Sequence, residues 1–240
     1  MRMTIARVVA GLAALLWGFF WFGLIDLLVV VTQDERFHQH YLMESGWGLL
    51  YLLLVAVPYV VLCVRPGQPV AVGQLWVCSG EVVAAGVWAW QLPAVLNGLG
   101  LLASTALVAW LGHAAAPQWR RPGPLEGLLA VVAVPAALVY GWPLARNQTL
   151  TEDITNGVSH FPMQAALGLA VAGLAVLVAL TGSRLPAWTV GFTAVWLGLE
   201  SVVYPDLVGS LGVLGGWLAV LWGVLLVASV ELARIRRSER

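Results

Sequence analysis

The sequence predicts an all-α, polytopic integral membrane protein with eight transmembrane helices, arranged as two parallel four-helix repeats. Three observations lead there. The chain is far more apolar than a soluble domain, its arginines alternate between connections, and a set of rare residues recurs at a constant offset.

Hydrophobic residues make up 60% of the 240-residue chain, and the mean hydropathy is +0.88. In soluble domains apolar residues reach only about half. A helix needs roughly 20 mostly apolar residues to cross a hydrocarbon core of about 30 Å. Such stretches fall at about 8–31, 46–64, 69–90, 92–114, 125–144, 162–182, 186–204 and 209–233. Breakers separate them: RPGQP (65–69), QLP (91–93), PQWRRPGP (117–124), SRLP (183–186) and YPDLVG (204–209). The first segment has a basic start like a signal peptide, but its apolar run exceeds the roughly 7–15 residues of a signal core. It reads as a retained first helix.

All twelve basic residues are arginine. The lack of lysine excludes a retinal Schiff base, and the Ala/Leu/Val/Gly-rich usage suggests a bacterial source. Zero formal net charge gives no sign of a nucleic-acid partner. Arg2, Arg7, Arg65, Arg120, Arg121, Arg184, Arg234, Arg236, Arg237 and Arg240 fall on one side of the expected membrane, and only Arg36 and Arg146 on the other. By the positive-inside rule both termini are cytoplasmic, in a bacterial inner membrane. Asp34, Glu35, His38, His40, Glu44, Glu152, Asp153, His160 and Asp206 then lie on the outer side. Cys63 and Cys78 lie inside apolar segments and read as small buried hydrophobes.

A shift of 120 residues lays HYLME (40–44) over HFPMQ (160–164), so that His40 meets His160 and Met43 meets Met163. It also pairs Gly48 with Gly168, Pro66 with Pro186 and Trp76 with Trp196, and one slipped residue aligns Glu81 with Glu200. The chain therefore divides into repeats 1–120 and 121–240 within one membrane unit. Four helices is an even number, so the halves share one orientation, a known transporter design with sites near the repeat interface.

Two constellations carry chemistry. His40 with Met43, and His160 with Met163, are spaced i, i+3 and share a helix face. Imidazole with thioether favours copper, above all Cu(I), so the four side chains are a candidate metal set across the repeat axis. The plainer reading is a pair of helix starts. Pro162 suits a first turn, Glu44 suits the positive end of a helix dipole, and Tyr41 and Phe161 suit the interface.

The second constellation is Asp26, Glu81 and Glu200, carboxyls in the outer halves of apolar spans, with Trp196 one turn before Glu200. Intramembrane ionisable groups are costly and usually face a bundle interior or a wet cavity. They can relay protons in transport or act as general acids in catalysis, or they can bond neighbouring helices. His113 reads as interfacial, and NQT (147–149) as an exposed loop. No nucleotide-binding or metalloprotease motif appears.

The expected activity is transport or handling of a small solute or metal ion through an outward polar cavity between the repeats. The alternatives are an intramembrane enzyme acting on a lipophilic, lipid- or isoprenoid-like substrate, and a non-catalytic scaffold. The bilayer is the one partner the composition requires.

Overall fold

A computed structural model describes residues 1–146 and 154–238. The NQT segment, Glu152, Asp153 and Arg240 lie outside the described residues. The chain folds as a helical bundle, and among the described residues seven helical stretches are long and apolar enough to cross a membrane. The eighth expected span, α9 (Arg184–Val203), has the length but is diluted by Arg184, Thr189, Thr193 and Glu200. Three of those four, Thr189, Thr193 and Glu200, are buried against other helices, so its polarity faces the bundle.

The first span is not one helix. It consists of α1 (Arg2–Leu15), a π-helical turn (Leu16–Phe20) and α2 (Gly23–Thr32). Phe22 stands between the pieces with φ +64°, a left-handed conformation that is unfavourable for a bulky residue. The break is held from outside: Trp47 donates its indole N–H to the Trp21 carbonyl at 2.7 Å. A backbone group freed inside a membrane needs such a partner.

The second span starts earlier than its apolar run suggests. A 3₁₀ segment (Glu35–His40) leads into α3 (Tyr41–Gly48), a π-helical stretch (Leu49–Ala56) and α4 (Val57–Val64). Every residue of α3 is buried, so Glu44 lies inside the bundle and not on its outer rim. Pro58 has no N–H for the carbonyl four residues back. That carbonyl, on Leu54, accepts instead from Gln74 Nε2 at 3.1 Å and Cys78 Sγ at 3.5 Å.

Helices α5 (Pro69–Trp88) and α6 (Leu92–Leu111) each carry proline in the first turn. They are followed by α7 (Pro124–Arg146), a two-stranded ladder of β1 (Ile154–Thr155) and β2 (Val158–Ser159), α8 (His160–Thr181), α9 and α10 (Gly212–Ser238). The centre belongs to the second span and α8, with 61% and 67% of their apolar windows buried, against 28% in α10. Glycines set the closest crossings, as is usual between membrane helices. In α9 and α10 a Cβ on Gly198 would stand 2.6 Å from the Gly216 carbonyl, and one on Gly223 2.6 Å from that of Gly191.

At the end of α8, Gly182 adopts φ +64° and donates its N–H to the Val178 carbonyl at 2.7 Å, the usual glycine stop. The Arg120 guanidinium packs on Gly182 and reaches Glu126 at 2.5 Å. The connection between the two halves is thereby anchored to the α8 C-terminus, where a cation is favoured.

Candidate functional site: a buried carboxylate–histidine cluster

Gly23 and Gly48 bring α2 and α3 together. A Cβ on Gly48 would stand 2.6 Å from Leu27 N and 2.8 Å from the Gly23 carbonyl. This approach carries Asp26, one turn past the break, to Glu44, one turn before Gly48. From the second half of the chain, α8 begins at His160 beside them. One ligand atom from each of Asp26, Glu44 and His160 lies within 4.8 Å of the other two. All three are buried, with exposures of 4%, 7% and 1%.

His160 is positioned on several sides. Its Nδ1 lies 3.8 Å from Glu44 Oε1, and its Nε2 2.8 Å from Thr155 Oγ1. The Trp47 ring stands against the imidazole at a centroid distance of 4.8 Å, while the same indole caps Trp21. Thr155 owes its place to the Asn156-Gly157 turn, with φ +52° and +78°, the dipeptide that favours a tight two-residue hairpin. Ser159 caps α8 by accepting from Phe161 N–H at 3.3 Å.

A pocket of about 610 Å³ reaches this cluster; Asp26, Glu44, His40 and Thr155 contribute to its wall, with Asp34 and Arg36 nearer the chain ends of α2 and α3. Arg36 pairs with Asp34 at 2.6 Å. Its guanidinium holds the Asp34 carboxyl below the usual carboxylate range.

The sequence-predicted residues are redistributed among three neighbouring groups. Asp26 joins His160 and Glu44. Glu200 Oε1 accepts from Ser45 Oγ at 2.5 Å and from Trp196 Nε1 at 2.7 Å, so it meets α3 at the residue after Glu44. Glu81 stands half-buried across from Gly173 of α8 and does not line the pocket that reaches the cluster.

The four His-x-x-Met side chains keep separate company. The Met163 thioether accepts from Tyr51 OH at 3.1 Å and faces Asn97 Nδ2 at 3.6 Å; Asn97 also donates to Tyr51 OH. Met43 packs near Gly209. His40, half-buried, lines the pocket wall. Helix position explains the separation. His160 opens α8 and turns to the carboxylates and the hairpin, whereas Met163, one turn further in, meets the π-helical stretch.

Sequence reasoning places Glu44 at a helix start on the outer side without joining it to Asp26 and His160, and it does not single out Thr155. The Asn-Gly dipeptide was the available signal for the hairpin, and Gly23 and Gly48 for the close helix crossing.

A second cavity, of about 320 Å³, is an apolar cleft among α7, α8, α9 and α10, with Ala137, Tyr140, Gly168, Thr193 and Trp222 in its lining.

The chain matches no family model, and no curated protein or solved structure proves similar to it.

Proposed function

We propose that the chain is an eight-span bacterial inner-membrane protein, with both termini cytoplasmic and two parallel repeats, that takes a small solute or cation from the outer side. The observation that carries this reading is the pocket of about 610 Å³ ending on Asp26 and Glu44. Buried ionisable groups along a polar cavity are the usual mark of an ion or proton path. The broken first span supports it as well, since discontinuous helices commonly form transporter sites. Ser45, next to Glu44 on α3, leads to Glu200, so two carboxyl sites adjoin one buried helix.

The apolar cleft supports a second reading, an intramembrane enzyme acting on a lipid or isoprenoid-like substrate. Its lining includes Tyr140 and Thr193 but none of Asp26, Glu81 and Glu200. General-acid chemistry would therefore lack its acid at that cleft, and the first reading is preferred.

Flux into proteoliposomes tests the proposal, with protons, Na⁺, K⁺, Mn²⁺, Zn²⁺ and Cu⁺ as probes. The expected result is flux of at least one probe above that of empty liposomes, reduced about tenfold or more by Glu44→Gln. Monodisperse protein giving only the empty-liposome rate for every probe would overturn it.

A further inference from the structure

We propose that Asp26, Glu44 and His160 form a binding site for one divalent first-row metal ion of the Zn²⁺ or Mn²⁺ kind. The proposal deepens the reading above and rests on it only for the route by which the ion arrives.

The donor geometry fits one ion. Two ligands bound at about 2.0–2.4 Å stand at most about 4–4.8 Å apart across a metal. The three donor atoms already lie within 4.8 Å of one another, so small side-chain rotations bring them onto a common centre. The donors are carboxylate oxygen and imidazole nitrogen, which suit Zn²⁺ and Mn²⁺ better than the soft Cu(I) that thioethers select. Met43 and Met163 are engaged elsewhere.

The charges fit as well. Two carboxylates and an imidazole gathered in a buried site form a donor set that suits a dication, since buried charges commonly coordinate metals. Three protein ligands leave further positions open toward the pocket, which admits water or an exchanging ion.

The outer shell is in place. Thr155 Oγ1 at 2.8 Å from His160 Nε2 fixes the ring so that Nδ1 faces Glu44. Metal-ligating histidines almost always use their second nitrogen in this way. Trp47 packs on the ring and limits its rotation. Thr155 is thus a positioning residue, and the hairpin that carries it serves the site.

Equilibrium dialysis of the chelator-stripped full chain in detergent tests the proposal, with Zn²⁺ and Mn²⁺ as separate probes. About one ion per chain is expected, together with a higher unfolding midpoint, since a ligand that binds only the folded state stabilises it. Glu44→Gln and His160→Ala should lower the uptake at least tenfold, and Thr155→Val, which keeps the volume but loses the hydroxyl, about tenfold. X-ray absorption of the Zn²⁺-loaded wild type needs no variant to fold, and should give an oxygen and nitrogen shell with one imidazole. Substoichiometric uptake of both ions, or a sulfur shell, would overturn the site.

The two proposals fail separately. Proton or Na⁺ flux without metal uptake would remove the metal site and keep the transport reading. Stoichiometric metal without flux of any probe would do the reverse.

Discussion

Trp47 touches both the break in the first span and the histidine of the cluster: its Nε1 is 2.7 Å from the Trp21 carbonyl, and its ring centroid is 4.8 Å from that of His160. One side chain therefore couples a backbone irregularity to the shape of the site. Trp47→Phe keeps most of the packing and removes the donor. The stranded carbonyl should cost about 1–3 kcal/mol, seen as a lower thermal midpoint in detergent. An unchanged midpoint would mean that the break is stable without its cap.

Gly48 and Gly80 make a matched pair. A Cβ on Gly48 would meet Leu27 and Gly23, whereas one on Gly80 has nothing within 4 Å. Gly48→Ala should destabilise by about 1–3 kcal/mol through overpacking and move Asp26 away from Glu44. Gly80→Ala should stabilise by about 0.5–1 kcal/mol, the usual gain in a helix interior. Parallel melting curves decide it, and equal responses would contradict the close crossing of α2 and α3.

Glu200 separates a hydrogen-bonding role from a charge role. Glu200→Gln keeps a carbonyl oxygen for Ser45 and Trp196, so folding should be nearly unaffected. Glu200→Leu leaves the Ser45 hydroxyl without its acceptor, while Trp196 Nε1 still has Ser45 Oγ at 2.9 Å, and should cost about 1–3 kcal/mol. If flux falls in the glutamine variant while the melting curve holds, the carboxyl itself is used.

Asp34 carries the pH dependence outside the spans. With Arg36 beside it, its folded value lies below the ordinary carboxylate range, about 3.9 for Asp. The sign follows from linkage. The pair's contribution is present above that ordinary value and is lost as pH falls through the depressed one. Arg36→Ala should therefore lower the midpoint slightly at about pH 6 and converge with wild type as pH falls through the depressed value. A difference that grew toward acid pH would refute the assignment.

The bundle was legible because its spans follow from apolar length. The expected start at 162 lies within two residues of the observed α8, and 69 coincides with the start of α5. The second span was misjudged at its N-terminal end. Its expected start at 46 rested on the apolar run, while the helix continues back through Glu44 and Tyr41 because neighbouring helices enclose it. Burial supplied by other segments has no local signature.

The cluster was half legible for a related reason. Asp26 and His160 stood out as a carboxyl in an apolar span and a histidine beside one. The repeat alignment set His40 against His160 and Glu44 against Gln164, matching like positions. The fold instead joins Glu44 to His160, a contact fixed by the glycine crossing and the hairpin. Residues that meet off the register of a repeat cannot be found by aligning it.

Pro58 and Gln74 show how a membrane chain shares its hydrogen-bond obligations among helices. The proline withholds a donor from Leu54, and the amide of Gln74 supplies one from α5. Gln74→Leu alone leaves the carbonyl only the weak thiol donor of Cys78 at 3.5 Å, whereas Pro58→Ala offers it an N–H from its own helix. The double variant should then lose less than the two single losses combined, because neighbouring sites with one shared partner are not additive. The two positions thus act as one hydrogen-bonding unit divided between two helices, in which the polarity of α5 answers a donor missing from its neighbour.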